Sequence, residues 1–163
     1  MRDNGGGDLS TVQQLASRFT TEDFTSGYIR HKTGIGHNDF SDYYPITQQT
    51  AASNRLHFSK PVAILTNRRC YSATNNFVSV MSNLPQVCII GDCTGGGSGL
   101  PFSSELPNGW VVRFSASPIY DTQKELTEFG IEPDIQIDLS EGDISNGIDS
   151  IIERAKQWIL TNE

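Results

Sequence analysis

Near the start of the chain, Leu9, Val12, Leu15, Ala16 and Phe19 recur at helical spacing, and Asp8 or Ser10 stands where an N-cap is needed. A polar and aromatic stretch with weak periodicity follows from residue 20 to residue 59. Within it, Tyr28-Ile29-Arg30 reads as a short strand and residues 39–53 as a long surface loop. Loops of that length often carry function.

The middle of the chain is more regular. Pro61-Val62-Ala63-Ile64-Leu65-Thr66 is a compact apolar run suited to a buried parallel strand. Residues 67–71 read as a turn. Ala73, Phe77, Val80, Met81 and Leu84 then mark a helix that Pro85 stops. Val87-Cys88-Ile89-Ile90 is a second buried strand, which completes a βαβ unit with an expected right-handed crossover. A glycine-rich loop at 91–99 leads to a strand at 110–114, entered through the Pro107-Asn108-Gly109 turn. Asp134-Ile135-Gln136-Ile137 reads as a last strand, and Ile148, Ile151, Ile152, Ala155, Trp158 and Ile159 as an amphipathic C-terminal helix. The pattern describes one α/β domain without internal repeats.

Composition changes this picture little. The chain has 163 residues, 36% hydrophobic and 19% charged, enough for one sizeable core. A net charge of −7 argues against non-specific nucleic-acid binding, which needs a basic surface. The three cysteines (Cys70, Cys88, Cys93) are too few and too odd in number for a disulfide framework, and the histidines are not grouped with them as a zinc site requires. No apolar run approaches the ~18 residues of a membrane span. Asn4-Gly5-Gly6-Gly7 is a glycine turn with almost nothing before it, so the chain is expected to begin in mid-domain. A strand edge left open there would favour self-association into a homo-oligomer.

Three places could carry chemistry. Ser72 sits where a parallel strand turns into a helix, and the unpaired N–H groups of a helix start favour a developing oxyanion, with the Ala73 N–H as the natural donor. A serine at such a junction can equally be a simple N-cap. The Asn4–Gly7 turn enters another helix and offers Gly6 as a second N–H donor, unless it is only a flexible terminus. Gly91-Asp92-Cys93-Thr94-Gly95-Gly96-Gly97-Ser98-Gly99 lacks the Gly-Lys-Ser/Thr ending of a phosphate loop and reads better as a substrate-lining loop, with Gly95, Gly96 and Gly97 as groove candidates. His37, in Gly34-Ile35-Gly36-His37-Asn38-Asp39, is a further groove candidate.

Taken in order, Arg2-Asp3-Asn4-Gly5-Gly6-Gly7, Tyr71-Ser72-Ala73, Ile90-Gly91-Asp92-Cys93-Thr94-Gly95-Gly96, Leu106-Pro107-Asn108-Gly109 and Glu128-Phe129-Gly130-Ile131-Glu132-Pro133-Asp134 resemble the C-terminal processing peptidase family of serine peptidases. Its members carry D-L-R-x-N-x-G-G, a strand ending at S-A, G-x-x-T-x-G, L-P-x-G and E-x-x-G-I-x-P-D in that order. The resemblance implies a crotonase-like α/β fold of repeated ββα units, here incomplete at its N-terminus, with residues 1–163 as the C-terminal part of a catalytic core domain. It implies peptide or protein substrates, no cofactor and no metal, and an exported or periplasmic parent protein. Ser72 matches the nucleophile, and Ala73 and Gly6 match the oxyanion hole, although Gly5 is one residue away.

The base departs from the Ser–Lys members of the family. Gly97 occupies the position of their lysine, and none of Lys32, Lys60, Lys124 and Lys156 lies in that loop. Glycine there is similar to the tricorn-core branch, which implies a Ser–His arrangement supported by a glutamate matching Glu128. The branch's histidine lies upstream of D-L-R-x-N-x-G-G, so it would come from an upstream segment of the parent protein. His31, His37 and His57 match no family base. A serine without its base is a poor nucleophile, so these residues alone are expected to be nearly inactive. Two alternatives stand beside the peptidase: a binding module that kept the fold and lost the base, and a crotonase-like enzyme acting on thioesters.

Overall fold

Strands β3 (Val62–Thr66) and β4 (Val87–Gly91) pair in parallel in the computed structural model, which describes residues 1–162. Their register runs from Val62 opposite Val87 to Thr66 opposite Gly91, and β8 (Ile135–Gln136) adds a third parallel strand beside β4. The two long strands are apolar along their length because both faces are covered. Val62, Ile64, Val87 and Ile89 face a cluster built on α1 (Leu9–Ala16) and α2 (Ala73–Met81), with Val12, Ala16, Phe77, Val78 and Met81 at its centre. The alternate residues Ala63, Leu65, Cys88 and Ile90 face Ile151, Ala155 and Trp158 of α4 (Ser150–Asn162). This is the two-residue period of a strand expressed as two helix layers.

Asp8 is the N-cap of α1 and accepts from the Ser10 N–H. The helix stops at Ala16, so Phe19 joins the core from the connection beyond it. A second sheet, antiparallel, has the order β2-β1-β7, with β1 Phe24–Ile29, β2 Tyr44–Gln48 and β7 Ile119–Tyr120. Here β2 occupies part of the stretch expected to be loop. Only Gln48 of its residues is buried, so no apolar alternation marks it in the sequence. Tyr43 closes this sheet over Tyr28 and Tyr120, ring centroids 6.0 and 4.9 Å away, with Arg30 and Lys124 against its ring.

Strands β5 (Pro101–Glu105) and β6 (Val111–Ser115) form a hairpin of their own, solvent-exposed along almost all of its length. A short turn of 3-10 helix at Thr127–Phe129 and a short α3 (Glu141–Ser145) complete the described elements. All three cysteines are buried and unbridged, and burial pushes the Cys88 thiol up to about 11.

One ion pair ties the start of the chain to α4. Arg2 grips Asp149 with both guanidinium nitrogens, at 3.2 and 2.6 Å, and Asp149 Oδ1 also accepts from the Ile152 N–H at 3.0 Å. The Arg2 hydrogen bond, followed by that backbone bond, holds the Asp149 carboxyl below its ordinary value. A depressed folded-state value contributes stability above the ordinary carboxylate range, and that contribution is lost as pH falls through the folded value. Asp149→Asn, which keeps the capping oxygen, is expected to lower stability by about 0.5–1 kcal/mol at neutral pH. The difference from wild type should shrink progressively in thermal unfolding as pH is lowered below the ordinary carboxylate range.

Candidate active site

Ser72 occupies the N-cap position of α2 with φ +58° and ψ −122°, a backbone region that costs a non-glycine residue about 1–3 kcal/mol. An ordinary N-cap serine has extended backbone and accepts an N–H from the first helical turn. Ser72 has the wrong backbone for this, and its side chain makes no capping bond. The simple N-cap reading is therefore set aside. The strained conformation is held on each side: the Ser72 N–H donates to the Gly96 carbonyl at 2.8 Å, its carbonyl accepts from Asn76 N–H at 3.0 Å, and the Tyr71 N–H donates to the Asn4 carbonyl at 3.2 Å.

The first glycine turn is pressed against this corner. Gly6 has φ +96°, and a Cβ there would stand 2.5 Å from the Tyr71 carbonyl oxygen and 2.7 Å from the Ala73 nitrogen. Only glycine permits that approach. The Ala73 N–H, at the start of α2, has no hydrogen-bond partner among the described residues. The Gly6 N–H instead donates to Asn4 Oδ1 at 2.9 Å, an oxygen that also accepts from the Thr74 hydroxyl at 2.8 Å.

The second glycine run threads between Ser72 and the Thr127–Phe129 turn. Gly95 N–H donates to the Cys70 carbonyl at 2.8 Å and Gly97 N–H to the Glu128 carbonyl at 2.9 Å. Gly97 has φ +82°, and a Cβ there would reach within 2.5 Å of Cε2 of the Tyr71 ring. The tyrosine next to Ser72 thus fills the space a side chain at position 97 would enter.

Two cavities open on Ser72, of about 320 and 220 Å³. Gly97, Pro101 and Arg113 border both. The larger one adds Ala73, Asn76, Ser98 and Ile119, and the smaller one Tyr71, Ser115 and Glu128. Glu128 accepts from the Ser115 hydroxyl at 3.2 Å. Ser72, Ala73, Gly97 and Glu128 are thus brought together, and Gly6, Gly95 and Gly96 form the backbone around them. His37 is not: it lies in an exposed turn, where its carbonyl accepts from Lys32 Nζ at 3.0 Å. Among the described residues no histidine lines either Ser72 cavity. His31 faces Ser117, and His57 borders a separate cavity beside Phe19 and Asn83.

The group that organises this architecture carried no signal in the sequence. Asn75, fully buried in the first turn of α2, donates to Ser98 Oγ at 2.6 Å and to the Thr127 carbonyl at 3.0 Å. Its Oδ1 accepts from the Thr94 hydroxyl at 2.5 Å, and Thr94 Oγ1 in turn accepts from the Ile131 N–H at 2.7 Å. One amide thus joins α2, the glycine loop and the turn that carries Glu128. Asn75, Thr94, Ser98 and Thr127 are all buried, so removing the amide leaves several partners unsatisfied. Asn75→Ala is expected to cost about 2–4 kcal/mol in denaturant unfolding, whereas the exposed Asn108→Ala should cost under ~0.5 kcal/mol.

The family model for peptidase family S41 matches residues 1–137. The crystal structure of a putative peptidase from Parabacteroides merdae is 53% identical, with a TM-score of 0.94 over 98% of this chain and 50% of that one. Mature CPAF in complex with lactacystin gives a TM-score of 0.80 at 16% identity, over 96% of this chain and 42% of that one. Tricorn protease gives 0.64 at 20% identity, over 99% and 14%. The last two likenesses bear on the fold alone. This chain spans half the length, or less, of the solved structures it matches. The motif order and the family model agree, and the chain belongs to peptidase family S41.

Proposed function

We propose that this chain carries the nucleophile and oxyanion portion of a serine endopeptidase site, which cleaves peptide bonds through an acyl-enzyme on Ser72. The observation that carries this reading is the strained backbone of Ser72, which withholds its hydroxyl from capping and opens it to two cavities beside a free helix N–H. In the reaction Ser72 Oγ bonds to the substrate carbonyl carbon, its proton passes to a base, and the carbonyl oxygen becomes the oxyanion. The proton then goes to the departing amine as the peptide C–N bond breaks, and water releases the acyl group.

The Ala73 N–H is positioned by α2 to meet the oxyanion. Gly6 is the second donor in this reading, and its N–H would have to leave Asn4 Oδ1 to take that role. Glu128, in the same cavity as Ser72, orients or electrostatically supports the base. That base is a histidine contributed from outside these residues, since His31, His37 and His57 all stand away from the two cavities. A lysine at position 97 is disfavoured by the Tyr71 ring. The β3-α2-β4 unit is the part of the structure that supports a crotonase-like core. Substrates are peptides or proteins, as the family implies.

The same position of the histidines gives a second reading its footing, a peptide-binding module that kept the fold without the base. A fluorophosphonate probe separates the two when applied to the full-length protein. The peptidase reading predicts labelling at Ser72, no labelling of Ser72→Ala, and a fall in peptide hydrolysis of about 10⁴-fold or more in that variant. A full-length protein that is folded yet unlabelled would support the binding module and contradict the enzyme.

A further inference from the structure

Arg113 is the one cation bordering either cavity at Ser72 among the described residues, and it borders both. It sits on β6 opposite Ser103, exposed, and its guanidinium makes no hydrogen bond or ion pair to any described residue. Glu128, across the smaller cavity, is held by the Ser115 hydroxyl and not by this guanidinium. The fork is thus uncommitted at the point where substrate must pass. In a chain of net charge −7, a lone cation at the nucleophile reverses locally a field that otherwise disfavours anions.

We propose that Arg113 selects peptides with a carboxylate side chain on the residue whose carbonyl Ser72 attacks. The proposal deepens the peptidase reading and rests on it. The two cavities differ in a way that decides where such a side chain goes. The smaller one contains Glu128, which repels a second carboxylate. The larger one holds no other ionisable group, and it borders the Ala73 N–H that receives the oxyanion. Its volume, about 320 Å³, accommodates one side chain of glutamate size. Ser98 adds a second donor at the buried end: its oxygen already accepts from Asn75, which leaves the hydroxyl hydrogen to be given to a ligand. Guanidinium and carboxylate match as a two-toothed pair, and substrate covering the cavity strengthens that pair by excluding water.

The test uses the full-length protein and internally quenched peptides that differ only in Glu, Gln, Leu or Lys on the acyl side of the cleaved bond. The expected kcat/KM for Glu exceeds that for Gln by about tenfold and shrinks with added salt. The ratio should fall to about one in Arg113→Gln, be only partly kept in Arg113→Lys, which retains the charge but not the two-toothed geometry, and give way to a Lys preference in Arg113→Glu. Cleavage that favours Leu, or a Glu-to-Gln ratio untouched by Arg113→Gln, overturns the role of Arg113 while leaving the peptidase reading intact. If no peptide is cleaved, binding of the same peptides to Ser72→Ala decides the matter. Tighter binding of the Glu peptide that is lost on Arg113→Gln upholds the selectivity even as the enzyme reading fails, and equal binding of all four overturns it.

Discussion

The backbone at residue 72 must adopt a positive φ that serine does not favour, and two other segments of chain join its own helix in holding it there. Gly96 takes the N–H of Ser72, Asn76 engages its carbonyl, and Asn4 receives the N–H of the residue before it. A cost of about 1–3 kcal/mol is sustained because the flanking elements are buried for other reasons: β3 lies between two helix layers, and α2 presents nearly a full face to the core. The consequence is directional. The hydroxyl leaves the helix axis and opens to the cavities, while the helix start keeps an unused N–H beside it.

Close approach explains the glycines around this corner better than flexibility does. Gly6 meets the Tyr71 and Ala73 backbone, and Gly97 meets the Tyr71 ring, each at a positive φ and each with no room for a Cβ. Tyr71 and Gly97 therefore pack as a pair, the ring as placed occupying the space a side chain at position 97 would enter. Asn75 sets the depth of the glycine loop by bonding Thr94 and Ser98 within it and the Thr127 carbonyl, which couples the position of Glu128 to the first turn of α2.

Legibility in the sequence followed burial. The β3-α2-β4 unit is covered on both strand faces, so its apolar runs and helical spacing were plain, and α1 and α4 showed their apolar stripes. By contrast β2 and β5 are largely solvent-exposed, and polar strands such as Ser103-Ser104-Glu105 leave no period to read, whereas β6, though exposed, was legible from its Trp110-Val111-Val112-Arg113-Phe114 run. The place of Ser72 was legible from its junction and motif, but its backbone was not, because nothing in a serine announces a positive φ. Asn75 falls off the apolar stripe of α2, and Arg113 lies on an exposed strand, so neither differed in sequence from an ordinary surface residue. His37 attracted notice through its flanking glycines, yet those serve a turn closed by Asp39.

The central claim is that a covalent bond forms at one oxygen. Acid-quenching the full-length protein within milliseconds of mixing with an activated peptide ester, followed by intact-mass and peptide mapping, reads that bond directly. The account predicts a transient acyl adduct of one acyl group, located on Ser72 and absent from Ser72→Ala. An adduct on another residue, or ester turnover without any adduct that persists in Ser72→Ala, would contradict it.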